Sequence, residues 1–188
     1  MISAIIMASG SSRRMGKNKL KLKYKEKFIF EYVIDLVSSY PFDEKIIVTN
    51  DLDIIKYAED NKITSYTNEE AIIGKSESIK IGIRNSKQKN ACMFFVCDQP
   101  LLTKETVDKI IEKFNADKSL ITFPIYLENR GSPMIFPPEY REKLLKLEKD
   151  QGGVILIDQS NSQSLTINSS IENLDIDIEE DYKRILEL

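Results

Sequence analysis

Apolar and polar positions along the chain fall into two alternating patterns. Short, mainly apolar runs, at Ile2–Met7 and over residues 91–97, read as strands buried on both faces. Stretches of helical spacing lie between them. Residues 28–40 place Phe28, Tyr32, Ile34, Leu36 and Val37 on a loose helical stripe that Pro41 closes. Residues 45–49 then predict a strand, Asp51 an N-cap for a helix through Asn61, and residues 63–66 a short strand. Helices are predicted over 76–86 and 103–114, the second opened by the capping hydroxyl of Thr103, and a further strand over 120–123. Strand and helix in turn predict an α/β fold of three layers, α/β/α, around a mostly parallel Rossmann-like sheet.

The last third departs from this rhythm. Arg130-Gly131-Ser132-Pro133 is a turn before the apolar Met134–Phe136, Pro137-Pro138 opens a helix to about residue 147, and Asp150-Gln151-Gly152-Gly153 is a hinge. This part predicts an antiparallel edge to the sheet. Residues 164–167 and 173–176 read as short strands, and 179–188 as a closing amphipathic helix. No linker, repeat or low-complexity tract divides the chain, so residues 1–188 are expected to form a single domain.

Composition narrows the chemistry. With 27 basic against 30 acidic residues and a formal charge of -3, the chain is not built as a general nucleic-acid binder, so local basicity serves something small. The sequence contains no histidine, which removes imidazole acid–base chemistry and His-containing zinc sites and leaves carboxylates, lysine, arginine and hydroxyls. Cys92 and Cys97, the two cysteines, sit in one apolar strand with side chains on opposite faces. No disulfide is expected between them, and a reducing cytoplasm is the simplest setting. The N-terminal apolar run is too short for a membrane span and has no basic flank for a signal peptide.

The first strand ends abruptly at Ala8-Ser9-Gly10-Ser11-Ser12, followed by Arg13, Arg14, Gly16, Lys17 and Lys19. Small residues let backbone N–H groups approach an anion closely, and the cations that follow suit phosphate. The spacing is not that of a Walker loop, because five residues separate Gly10 from Gly16 and Asn18 follows Lys17; nor are there the three close glycines of a dinucleotide fingerprint. A second anchor is Asp98, in Phe94-Phe95-Val96-Cys97-Asp98-Gln99-Pro100. It places a carboxylate directly after a buried strand, where open α/β sheets bind ligands, and Pro100 keeps Gln99 extended.

The first segment resembles the L-A-A-G-x-S-x-R-M-G-x-x-K signature of the MobA-like nucleotidyltransferases, matching at Ala8, Gly10, Ser12, Arg14, Met15, Gly16 and Lys19, with Met7 for Leu and Ser9 for the second Ala. Three further segments fit the resemblance. Cys97-Asp98-Gln99-Pro100 is similar to the family's GDQP-like segment, with Cys97 for Gly; Gly74-Lys75-Ser76-Glu77-Ser78 opens a G-x-S-x-S segment; and Asp175-Ile176-Asp177 resembles D-I-D-T-P-E-D, with Ile178 for Thr and Glu179 for Pro. The resemblance implies Mg²⁺ bound by Asp98 and Asp177, and a nucleotide held by Ala8, Ser9, Gly10, Ser11, Ser12, Arg14, Lys19, Gly74 and Ser78. It also implies catalytic roles for Lys19, Arg14 and Asp98 in nucleotidyl transfer to a phosphorylated acceptor.

Within that family, Ala8-Ser9-Gly10 lacks the paired glycines of the guanylyl branch, and NRGSPMIF and KDQGGVILI resemble segments of the molybdenum cofactor cytidylyltransferases. The resemblance therefore implies CTP as donor, a molybdopterin-type acceptor near Arg130 and Gly131, and a molybdenum hydroxylase as the downstream partner. GTP, or a sugar or alcohol phosphate acceptor, is the enzymatic alternative, and a nucleotide-binding cofactor chaperone the non-enzymatic one. Ser132 stands where the cytidylyl branch carries His and Val154 where it carries Arg.

Overall fold

The computed structural model describes residues 1–10, 16 and 18–188. Its core is one sheet, built from β1 (Ile2–Met7), β4 (Glu44–Val48), β5 (Thr64–Tyr66), β6 (Ala91–Val96), β7 (Ile121–Tyr126), β8 (Asn129–Arg130), β9 (Met134–Phe136) and β10 (Ser162–Ile167). A small separate hairpin pairs β2 (Lys23–Tyr24) with β3 (Lys27–Phe28). The helices are α1 (Ile29–Ser38), α2 (Leu52–Asp60), α3 (Lys75–Arg84), α4 (Lys104–Ala116), α5 (Arg141–Leu144) and α6 (Glu179–Leu186).

The apolar strands explain the layering. Successive side chains of a strand point to opposite faces, so a run without polar breaks needs cover on both sides. Ala4, Ile6, Ile47, Met93, Phe95 and Ile135 pack on one face with Val33 and Val37 of α1, Ile54 of α2, Ile110 of α4 and Ile185 of α6. Ile5, Ile46, Val48, Cys92, Phe94 and Phe136 pack on the other with Ile79 and Ile83 of α3 and Leu144 of α5. Gly82 lets α3 lie close on β1, since a Cβ there would meet the Ile5 side chain at 2.5 Å. Cys92 and Cys97 fall in different layers, both free and buried, as the strand alternation requires.

The strand order is β10-β7-β9-β6-β1-β4-β5. β1 is parallel to both its neighbours, with Met7 opposite Val48 of β4 and Val96 of β6. The chain runs outward from β1 to β4 and β5, then returns to place β6 on the other side of β1. That reversal opens a crevice at the carboxyl ends of β1 and β6, the position where doubly wound sheets take ligands.

Four local expectations are corrected. The antiparallel strand β9 lies inside the sheet, between β6 and β7, and the outer strand β10 runs parallel to β7. β7 continues through Pro124 to Tyr126. Residues 173–176 form no strand; their link to the sheet end is one backbone hydrogen bond, Ile176 N–H to the Asp98 carbonyl at 3.3 Å. The helix expected to reach residue 147 is a 3₁₀ turn at Pro138–Tyr140 followed by the four-residue α5. Among the described residues no helix is long and apolar enough to cross a membrane.

Candidate active site

The crevice holds a cleft of about 260 Å³ lined by Ala8, Ser9, Gly10, Lys19, Gly74, Lys75, Ser78 and Asp98, with Met7 and Val96 at its floor. Segments far apart in sequence converge here for topological reasons. The end of β1 delivers Ala8 to Gly10, with the Ala8 N–H bound to the Val48 carbonyl at 2.9 Å. The adjoining end of β6 delivers Asp98, and the Cys97 N–H reaches the Met7 carbonyl at 3.3 Å.

Lys19 enters from a 3₁₀ turn, Lys19–Lys21, whose N-cap Asn18 accepts from the Leu20 N–H and donates to Asp51 at 3.0 Å. Its ammonium donates to Asp98 at 2.5 Å and to Asp177 at 2.7 Å. Burial pulls the Lys19 pKa down, but the charges and hydrogen bonds of Asp98 and Asp177 outweigh it and hold the ammonium above its ordinary value. Asp177 is brought in by the irregular 173–178 segment, which is tied to the end of β6 by the Ile176–Asp98 backbone bond and by Gln99, whose Nε2 donates to Asp175 at 2.7 Å.

Opposite the lysine, Ser9 and Ser78 share a hydrogen bond of 2.5 Å between hydroxyls. Both are reached by Asn68 Nδ2, at 3.5 Å for Ser9 and 3.1 Å for Ser78. Asn68 is fully buried, and its backbone exchanges two hydrogen bonds with the Asn50 side chain, each 2.7 Å. Neither asparagine stands out in the sequence, because each is one polar residue in a polar loop after a strand. The signal that would have found them is placement: Asn50 follows β4 and Asn68 follows β5, so both lie at the carboxyl edge of the sheet with Ser9 and Asp98.

Gly74 is the N-cap of α3, with φ of 141°, and a Cβ there would meet the Lys149 backbone at 2.4 Å. Only glycine lets the start of α3 abut residues 149–150, where the Ser76 N–H bonds the Lys149 carbonyl at 2.9 Å. Ser76 itself is fully buried and does not line the cleft, whereas Ser78 does.

The sequence-predicted residues Ala8, Ser9, Gly10, Lys19, Gly74, Ser78, Asp98 and Asp177 are thus brought together. Ser11, Ser12 and Arg14 lie outside the described residues. Arg130 and Gly131 are not brought to the cleft: Arg130 lies exposed over the Phe123 ring, and Gly131 packs against Tyr126 and Asn173. Their neighbour Ser132 instead lines a second cavity of about 90 Å³ with Val154, Phe136 and Met134; Met7, Lys75 and Val96 border both cavities.

Among the described residues no group of three or more metal-binding side chains is assembled. The donor set is a pair of carboxylates, Asp98 and Asp177, converging on one cationic point that the Lys19 ammonium touches. Oxygen donors few in number beside an open cleft fit a hard divalent cation that keeps waters and takes phosphate oxygens.

Three comparisons bear on this site. Over 125 residues, 66% of this chain and 60% of the other, the sequence is 32% identical to a probable molybdenum cofactor guanylyltransferase of Natranaerobius thermophilus; the chain thus spans less than two thirds of that relative. The fold matches the crystal structure of Rv0371c from Mycobacterium tuberculosis H37Rv with a TM-score of 0.84, covering 100% of this chain and 97% of that one at 22% identity. It also matches a complex of that protein with manganese, with a TM-score of 0.82, covering 99% and 98% at 21% identity. The sequence pattern of the MobA-like NTP transferase domain matches residues 4–164, most of the chain, and the chain belongs to the MobA-like NTP transferase family.

Proposed function

We propose that the chain transfers a nucleoside monophosphate from a metal-bound nucleoside triphosphate to a phosphorylated acceptor and releases pyrophosphate. The observation that carries this is the convergence of Lys19, Asp98 and Asp177 at one end of a cleft whose other walls are Ser9, Gly10, Gly74 and Ser78. In the reaction an acceptor phosphate oxygen attacks the α-phosphorus, the bond from that phosphorus to the β-phosphate bridging oxygen breaks, and pyrophosphate leaves with the electron pair. Such transfer needs position and charge compensation more than covalent help, so the lack of histidine is no obstacle.

The residues divide the work by chemistry. The N–H groups of Ser9 and Gly10 face the triphosphate, and Arg14, whose planar fork suits phosphate, holds the departing pyrophosphate. Lys19 offsets charge on the α-phosphate during attack. Asp98 and Asp177 hold a divalent cation, Mg²⁺ in our reading, which when bound offsets charge on the triphosphate oxygens. Ser78, fixed by Asn68, orients the nucleoside.

For the base we favour CTP, on Ala8-Ser9-Gly10 in place of paired glycines. GTP is the second reading, favoured by the name of the curated relative. A molybdopterin-type cofactor is the acceptor favoured by the family resemblance, with the second cavity beside Lys75 as the place to receive it. The test is to incubate the protein with Mg²⁺, the pterin cofactor and each radiolabelled triphosphate in turn. Pyrophosphate and a labelled dinucleotide product are expected with CTP. Product with GTP alone rejects the base assignment, and product with neither rejects the acceptor.

A further inference from the structure

The position of the Lys19 ammonium has a consequence for how the site fills. Asp98 and Asp177 come from segments 79 residues apart and are held together by main-chain and side-chain ties that do not involve Lys19: the Ile176–Asp98 backbone bond and the Gln99–Asp175 hydrogen bond. Two carboxylates fixed this way repel one another, and the repulsion is strong where water is partly excluded. The Asp98 and Lys19 side chains are 18% and 12% exposed. A cation between the two carboxylates offsets that repulsion, and Lys19 supplies it, at 2.5 Å from Asp98 and 2.7 Å from Asp177, whose side chain is 49% exposed.

We propose that Lys19 holds the place of the divalent cation in the nucleotide-free molecule, so that the site rejects free metal and takes it only as the metal–triphosphate complex. The proposal rests on the nucleotidyl-transfer reading for the identity of the second ligand. A metal ion arriving alone must displace the ammonium and leave it in a half-buried cleft without its carboxylates. Arriving with a triphosphate, it brings the anion that receives the ammonium. The geometry allows the exchange: the Lys19 backbone is pinned by the Asn18 cap and its bond to Asp51, while the flexible four-carbon stem borders the open cleft beside Ser9 and Gly10. Metal and nucleotide then assist each other's binding by the same factor, as linkage demands.

The test uses Mn²⁺ alone as probe, with free Mn²⁺ followed by electron paramagnetic resonance on the intact chain and on Lys19→Met. Without nucleotide, the variant is expected to bind Mn²⁺ at least about tenfold more tightly than the wild type, because the ammonium that competes with the metal is removed while the stem volume is kept. Equal or weaker binding by Lys19→Met overturns the proposal. If the variant does not fold, the wild type decides through thermal unfolding. Mn²⁺ and a non-hydrolysable CTP analogue together should raise the midpoint by more than the sum of their separate shifts, and additive shifts overturn the proposal. Failure of the analogue and of its GTP counterpart to bind at all would overturn the nucleotidyl-transfer reading instead, and the Mn²⁺ comparison between wild type and Lys19→Met would still stand on its own.

Discussion

On the proposed reaction, Lys19→Ala removes a positioned cation from the transition state, and deleting one preorganised donor of this kind costs about 2.7–4 kcal/mol, or ~10²–10³ in kcat. Steady-state kinetics on the variant should show that fall in kcat. Asp175 has a different signature. The residue as a whole is exposed, but its carboxylate is crowded by protein and faces the charge of Asp98, which together raise its pKa to about 6 against the hydrogen bond from Gln99. A folded pKa above the unfolded one means that its contribution to stability is full below about pH 4 and is lost as pH rises through 6. The melting temperature of Asp175→Asn should therefore vary less between pH 4 and 7 than that of the wild type. Asn68 is a third case, since its buried amide serves the Ser9 and Ser78 hydroxyls and the Glu70 N–H at once. Asn68→Ala leaves Ser9 and Ser78 only their bond to each other and takes the side-chain acceptor from the Glu70 N–H, at about 1–3 kcal/mol, and a denaturant midpoint shift of that size accompanied by a raised nucleotide KM is expected.

At the scale of elements, the start of α3 is the most demanding junction. Gly74 combines a backbone conformation reserved for glycine with contact against the Lys149 backbone, which cannot yield as a side-chain tip can. Gly74→Ala should cost about 1–3 kcal/mol from the backbone conformation alone, measured by denaturant unfolding, and should displace Ser78 from the cleft. Elements were legible in the sequence where one physical rule governed them. β6 has no polar break and β1 only the small Ser3, whose hydroxyl is satisfied by Glu44 at 2.7 Å, so both read as strands covered on both faces. α2 begins where the Asp51 carboxylate takes the Asp53 N–H. Legibility failed where two rules competed. The strand expected over 120–123 stops short of Pro124, a residue that donates nothing to a ladder, yet β7 runs through it and its carbonyl receives the Gly131 N–H at 3.0 Å. Residues 173–176, expected as a strand, do bury alternate side chains at Leu174 and Ile176, but burial of alternate side chains does not require a ladder, and a single backbone bond to the sheet end accompanies it.

At the scale of the whole molecule, the site was legible wherever a motif sits at the end of a strand in the sheet centre, because the crossover between β1 and β6 alone brings Lys19 and Asp98 together. It was not legible where the site depends on which turn residue faces inward. The sequence drew attention to Arg130 and Gly131 for the acceptor, and the structure places Arg130 over Phe123 and Ser132 at the second cavity, so turn chemistry alone does not say which of the three faces a cavity. The insertion of β9 gives the last prediction. β9 lies beside β6, so the cavity it lines adjoins the cleft through Met7, Lys75 and Val96, while Val154 lines only the second cavity. On the proposed placing of the acceptor in the second cavity, a guanidinium at 154 lies beside its phosphate and away from the nucleoside. Charge-assisted hydrogen bonds of this type are worth about 1.5–3 kcal/mol, so Val154→Arg should lower the acceptor KM by about tenfold or more. The dissociation constant of a non-hydrolysable triphosphate should stay within about twofold, because the nucleotide walls are untouched. Measuring both constants on one variant separates the two cavities: a matching shift in triphosphate affinity would show that they act as a single site, and an unchanged acceptor KM would place the acceptor elsewhere.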